Sequence, residues 1–352
     1  MKTLRPLVLA ASLAIAWAGQ AAAEVKLTAE TSSKGSVPHY VLTHLGEAAS
    51  AAGVASLQIA EGQTLTNSVR NVAEGKSDVV GCPLVLPFLL SKGLGPYSAL
   101  DKAKAAELAS NLRALYPYNV GLYTMMAFEA KGYSGWADLK GKTVYNGPPR
   151  GAALTNARQA IQMNAGLADG KDYKGLQANW DALSAMLVDG SADAYVIPVA
   201  LPHARVSVMS SAGKVAIYST PKSVMDSELG KKLTNFPGNI PYEAPIDGLG
   251  YVNDSNVRIV SEDNMFRGLG SAFSDVVNKD MPFELAKALT KVHIDTLKDL
   301  KAKAPSLANV GLAEMDPAKS SFCGANPLKY HPGAVAAWKE AGYTIPACAQ
   351  AN

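Results

Sequence analysis

The sequence predicts an α/β protein of two lobes that close like a clamshell, each lobe a mostly parallel sheet flanked by helices. Three observations predict it. Strand-like and helix-like patterns alternate along the chain, which is the signature of parallel strands joined by right-handed crossovers. The alternation runs twice, interrupted by a long β-prone stretch at 114–127 and a Pro- and Gly-rich stretch at 235–256, so the chain leaves one lobe and later returns. At 352 residues the chain is also long for a single core.

The first lobe is expected over 24–119 and 247–352, and the second over 120–246. Residues 25–28 read as a strand, and Ser36 and Pro38 then open a helix running to about 52, where Gly53 stops it. Residues 56–60 form the second strand. A helix from Thr64 or Thr66 keeps Leu65, Val69 and Val72 on one face, and Glu74-Gly75 ends it. A third strand spans 78–84. Residues 86–96, punctuated by Pro and Gly, read as irregular, and a helix covers 100–112.

In the second lobe, strands are expected at 143–145, 175–178, 192–196 and 215–219. Helices are expected at 152–165, 180–188, 202–210 and 223–233. After the return crossing come a strand at 271–277, a long amphipathic helix at 282–302 and a last helix at 331–341.

Lys2 and Arg5, the apolar run 7–18 and the small residues Ala21-Ala22-Ala23 read as a secretory signal peptide over 1–23. The run is short of the roughly 20 residues a membrane-spanning helix needs. Removing it takes the 33 basic residues to 31 against 30 acidic, a net charge of +1. That balance, without a Lys/Arg run or a basic-aromatic stripe, excludes nucleic acid as a partner. In an oxidising compartment Cys323 and Cys348 are expected to pair, closing a loop of about 25 residues and stabilising by about 3 kcal/mol in the chain-entropy model. Cys82, inside an apolar strand-like run, reads as a buried, inert thiol.

Three strand-to-helix turns carry the chemistry: 31–36 with Ser32, Ser33 and Ser36, 62–67 with Gln63, Thr64 and Asn67, and 147–152 with Arg150, Gly151 and Ala152. In a parallel sheet such turns gather at the carboxyl ends of the strands. Helix N-termini there present free N–H groups and a positive dipole end, which favour an anion. Each of these serines and threonines also serves as an ordinary helix cap, so the argument rests on the three turns together. Arg150, on a rigid Pro-Pro turn, is the sharpest candidate for gripping a carboxylate, against an alternative as a solvated surface arginine. His39 and the Pro202-His203 turn stand near helix starts and are further candidates to line the cleft. There is no HExxH, no zinc spacing, no Gly-x-Ser-x-Gly and no phosphate-binding loop, so no cofactor or metal is expected. Two Ser-x-x-Lys matches, at 211–214 and 219–222, lack the companion Lys-Thr-Gly.

These stretches resemble a known family. Asp138-Leu139-Lys140-Gly141-Lys142-Thr143-Val144 with 146–151 resembles a segment of periplasmic binding proteins. Gly62-Gln63-Thr64, Asn67 and Glu74-Gly75-Lys76-Ser77-Asp78 resemble the TAXI family, the solute receptors of one class of TRAP transporters. So do His331-Pro332-Gly333-Ala334 and 340–346 near the end. The resemblance implies a periplasmic receptor of the type II binding-protein fold. Such a receptor works as a monomer that captures a small organic anion such as glutamate, a dicarboxylate or a keto acid, and delivers it to integral membrane subunits driven by an ion gradient. Several polar positions of the family turns are replaced here: Gln63 and Thr64 stand where Gly and Ser are usual, and Ala152 and Ala153 where Ser and Thr are. Two rival readings are the receptor of an ATP-driven importer for sulfonates or thiamine precursors, and a periplasmic enzyme on the same fold. The second lacks an assembled nucleophile and base.

Overall fold

The computed structural model describes residues 25–251 and 254–351. The expected signal peptide lies outside them.

In the first lobe, β1 (Val25–Glu30), β2 (Ala55–Ala60) and β3 (Val79–Pro83) form a parallel set with β1 in the middle. The crossovers are α1 (Val37–Ala51) and α2 (Leu65–Ala73). Val37, Val41, Leu42, Leu45 and Ala49 of α1 are buried against the sheet at helical spacing. Two further helices follow, α3 (Val85–Lys92) and α4 (Lys102–Ser110). The stretch containing α3 reads as irregular in sequence because of Pro87 and Gly93. In fact Pro87 sits in the first turn, where its missing N–H has no intrahelical partner to lose, and Gly93 closes the helix at φ +59°.

β4 (Leu112–Phe128) carries the chain into the second lobe. Its first half pairs with the later strand β11 (Met265–Asn278), and its second half pairs with β7 (Ala194–Val199) and β8 (Val215–Tyr218). β7 continues into a parallel set with β5 (Thr143–Tyr145) and β6 (Lys174–Leu176). Around them lie α5 (Ala152–Ala165), α6 (Trp180–Asp189) and α7 (Ala204–Ser210). The expected single helix over 223–233 is two, α8 (Lys222–Asp226) and α9 (Glu228–Thr234). Ser227 lies between them in an extended conformation and caps the second with its Oγ, which accepts from Gly230 N–H at 3.0 Å.

β11 crosses between the lobes, and the Pro- and Gly-rich stretch before it already touches the first lobe, through Phe236 against Phe88 and Gly238 N–H on Ser321 Oγ at 2.7 Å. That stretch supplies β9 (Asn239–Pro245), antiparallel to β11, and is followed by β10 (Val257–Val260), parallel to β8. Back in the first lobe, β11 lies between β3 and β4, antiparallel to both. The result is a mixed sheet, ordered β2-β1-β3-β11-β4-β7-β5-β6 along its main path, that runs unbroken through both lobes. The expected helix over 282–302 is broken at Thr296 into α10 (Phe283–Asp295) and α11 (Leu297–Ala302). Thr296 Oγ1 bonds back to Val292 O and meets His44 Nε2 at 3.0 Å, which ties the break to α1. The short α12 (Pro317–Ser320) and β12 (Lys329–Tyr330) lead to α13 (Pro332–Glu340), which packs on α10. His331 caps α13: its Nδ1 accepts from Gly333 N–H at 3.1 Å, and Nε2 meets Met281 O at 3.0 Å. Cys323 and Cys348 are joined by a disulfide, and Cys82 is a buried free thiol.

Where β4 and β11 cross between lobes, both are irregular. Their register shifts between Gly270 and Ala272, opposite Leu122 and Asn119. Gly121 has φ +82°, and a Cβ there would lie 2.0 Å from Val199 O, so only glycine fits. Such a bulge bends a strand and lets its two halves turn relative to each other. Further along β11, in the first lobe, Asp275 is fully buried. Tyr116 and Tyr118 donate to its carboxylate at 2.6 and 3.0 Å. Burial pushes the carboxyl up to about 7, against the pull of those two hydroxyls.

Candidate functional site

The loops that end β1, β2, β5 and β7 converge on a cavity of about 150 Å³ between the lobes. Four helices point their N-termini at it: α1 through Ser36 to Pro38, α2 through Thr64 to Thr66, α5 through Gly151 to Ala153, and α6 through Asn179 to Asp181. The strand-to-helix order of the sequence causes this, because in a parallel set every such helix starts at the carboxyl edge of the sheet. Free N–H groups and the positive dipole ends therefore face the cavity.

Of the residues singled out from sequence, Ser32, Ser36, Gln63, Thr64, Arg150, Gly151, Ala152 and His203 line this cavity. Ser33, His39, Asn67 and Pro202 do not. Ser36 Oγ donates to Ser33 O at 2.7 Å instead of capping α1, and Gln63 Nε2 donates to Glu61 O at 2.8 Å. The hydroxyls of Ser32 and Thr64 have no hydrogen-bond partner among the described residues, and Thr64 makes no side-chain cap for α2. His39 is buried and pairs with Glu61 Oε1 at 2.9 Å. Asn67 is exposed on α2, and Pro202 follows a cis peptide bond after Leu201. Arg150 is exposed at the mouth.

Gly151 brings the lobes together. It belongs to the second lobe, has φ +102°, and a Cβ on it would lie 2.5 Å from Thr66 Oγ1 of the first. Neither the conformation nor the approach admits a side chain.

The charged centre of the cavity is Arg205, one residue into α7 and half-buried. Its guanidinium lies 4.3 Å from the ring centre of Trp180, a cation–π stack, and Nη2 donates to Ser33 Oγ at 3.2 Å. No carboxylate pairs with it among the described residues. Burial lowers it to about 10, with Tyr145 and Tyr123 pulling the other way, so it stays charged at neutral pH.

His203 is the N-cap of α7, its Nδ1 accepting from Arg205 N–H at 3.1 Å. The ring hydrogen is therefore on Nε2, which is a donor. Burial, and then the Arg205 charge, push His203 down to about 3, so it is neutral. Tyr123 on β4 is buried, lines the cavity, and has an unpartnered hydroxyl among the described residues, held protonated by burial. Much of the remaining wall is apolar, with Val37, Pro38, Pro83, Leu86, Val120 and Phe273, and the polar Thr66, Asn179 and Asp181 complete it.

Sequence reasoning passed over Arg205, Trp180 and Tyr123. A signal for Arg205 existed: it stands two residues after His203, in the first turn of the helix that the Pro202-His203 turn opens.

A cavity between two α/β lobes, ringed by helix N-termini and carrying a cation without a carboxylate partner among the described residues, is the arrangement of the periplasmic binding-protein fold. The chain belongs to the NMT1-like family, whose profile matches residues 89–342. A comparison with curated proteins finds no match. Among solved structures it is similar to the alkanesulfonate-binding protein SsuA from Xanthomonas axonopodis pv. citri bound to MOPS, at 17% identity and a TM-score of 0.36. That alignment covers 50% of this chain and 56% of that one, so the chain spans little over half its length. A protein from Bordetella bronchiseptica RB50 aligns at 16% identity and a TM-score of 0.46, over 94% of this chain and 85% of that one. A TRAP periplasmic solute-binding protein from Shewanella oneidensis with bound succinate aligns at 9% identity and a TM-score of 0.45, over 80% of each chain.

Proposed function

We propose that this protein is a periplasmic receptor that closes its lobes on a small organic anion and hands it to the integral membrane subunits of an ion-driven TRAP-type transporter. The observation that carries the anion reading is Arg205: a cation in the inter-lobe cavity that no carboxylate among the described residues pairs with, held by Trp180 and by Ser33 of the opposite lobe. A half-buried charge on the cavity wall that no carboxylate among the described residues pairs with is a site an anionic ligand can complete. The N–H groups of Gly151 and Ala152, the hydroxyls of Ser32 and Thr64, Gln63 and the Nε2–H of His203 then complete its shell, while Arg150 attracts it at the mouth. A ligand touching both lobes favours the closed form by its differential affinity, and the transporter reads that form. The signal-peptide pattern and the Cys323–Cys348 bond support the periplasm. The TAXI-like motifs at 62–78 and 331–346 support the TRAP assignment.

Calorimetry and thermal shift with the mature chain, against small carboxylates, sulfonates, amino acids and cations, test the reading. A ligand at a hundredfold excess over its Kd should stabilise by about 2.7 kcal/mol. Arg205→Gln should weaken anion binding roughly ten- to a hundredfold, the worth of a charged hydrogen bond. Preference for cationic solutes, or unchanged affinity in Arg205→Gln, removes the anion site. Sulfonates outcompeting every carboxylate would place the protein with the receptors of ATP-driven importers.

A further inference from the structure

We infer that the captured solute is a monoanion with a compact apolar body and no ammonium group; the inference rests on the anion-receptor reading and narrows it. The charged and strongest donors stand together on the second lobe and the crossing strand: the Arg205 guanidinium, the His203 Nε2–H and the Tyr123 hydroxyl. They suit one carboxylate or sulfonate head. Opposite them the first lobe presents Val37, Pro38, Pro83, Leu86 and Phe273, with Val120 beside them. A second ionised group placed against Pro83, Leu86, Val120 and Phe273 would be desolvated without a partner, whereas methyl and methylene groups gain from burial there. The other cation at the cavity, Arg150, is exposed at the mouth, where an ion pair is worth little.

An ammonium group fares no better. Asp181 is the one carboxylate among the residues lining the cavity, and it is exposed in the first turn of α6. The four helix N-termini also repel a cation. Neutral hydroxyls of Ser32 and Thr64 remain to meet a ligand carbonyl or hydroxyl without adding charge. The volume, about 150 Å³, is below the roughly 300–1,000 Å³ of pockets for drug-sized ligands and suits a short chain or single ring.

Four probes of similar size separate the terms in calorimetric titrations of the mature chain: 4-methylpentanoate, its methyl ester, leucine and glutarate. The expected result is that 4-methylpentanoate binds at least tenfold more tightly than each of the other three. Leucine or glutarate binding as tightly or more tightly overturns the inference while leaving the anion-receptor reading intact. The methyl ester binding as tightly as the acid overturns both, because Arg205 then has no part in recognition. Failure of 4-methylpentanoate to bind, with glutarate or another dicarboxylate binding, also overturns the inference alone.

Discussion

Nη2 of Arg205 reaches Ser33 Oγ at 3.2 Å, and this hydrogen bond spans the cleft from the first helical turn of α7 to the loop after β1. Trp180 covers one face of the guanidinium. One edge is thus engaged by the opposite lobe, while Nε and Nη1 have no protein partner among the described residues. The side chain that meets the solute therefore also senses whether the lobes have come together. Neither role is visible in a list of charged residues, because it depends on two loops some 170 positions apart in the chain.

The contact between Gly151 and Thr66 limits how far the lobes can close. Gly151→Ala should lower affinity for the best anion by about twofold to tenfold, the cost of pushing Thr66 off its rotamer. It should also cost the unliganded protein about 1–3 kcal/mol for a side chain at φ +102°. Adding Thr66→Ala should recover the affinity but not the stability, measured by calorimetry and by urea unfolding. Recovery of neither, or of both together, would show that the two glycine constraints are not separate.

Ligand affinity should be nearly independent of pH between 5 and 8. Arg205, at about 10, keeps its charge over that range, and His203, at about 3, stays neutral throughout it. A sulfonate, ionised at every pH in the range, is the clean probe. A tenfold loss of affinity between pH 5 and 7 would mean that a titrating group joins the contact.

Stability should respond to pH through Asp275. Its folded carboxyl titrates near 7 and its unfolded one near the ordinary 3.8, so the folded state binds the extra proton between these values. This contribution is fully present below about pH 4 and is lost as pH rises towards 7, at about 1.4 kcal/mol per pH unit. Asp275→Asn, of the same shape and without the charge, should gain on the wild type by that slope across the window in urea unfolding. Parallel curves for the two proteins from pH 4 to 8 would contradict it. His203 and His293, pushed down to about 3 by burial, act in the opposite sense and lower stability as pH falls below 6.5, equally in both proteins.

The Cys323–Cys348 bond closes a 25-residue separation at the surface of the first lobe. Replacing both cysteines with serine should cost about 3 kcal/mol in the chain-entropy model and lower Tm by several degrees, without changing solute affinity. The cavity is lined from other segments, so a change in affinity would reveal a coupling that the geometry does not contain.

Much of this architecture is legible in the letters. α1 and α5 begin and end within a residue of their expected places, because Ser36-Val37-Pro38, Gly53, Gly151 and Gly166 mark their termini and the apolar spacing between is helical. α3 is not legible, since Pro87 reads as a breaker unless its place in the first turn is known. β11 is seen only in part: Gly268 and Gly270 interrupt its β-prone pattern, and they are there because Leu122 and Ile240 crowd them. In the cavity, three turns chosen for their position in the strand–helix order do supply lining residues. The place of Arg205 just after the Pro202-His203 turn is legible, but its lack of a carboxylate partner among the described residues is a property of the folded molecule.

The place of β11 has a consequence for how the chain is made. β3 pairs with residues 273–277, nearly two hundred positions downstream, so a ribosome must release almost four-fifths of the polypeptide before the first lobe can acquire its fourth strand. Until then the nascent N-terminal half holds an unfinished sheet with an open edge, and contacts of such long range form slowly. Translation thus delivers a chain whose first lobe is completed only after most strands of the second have been made.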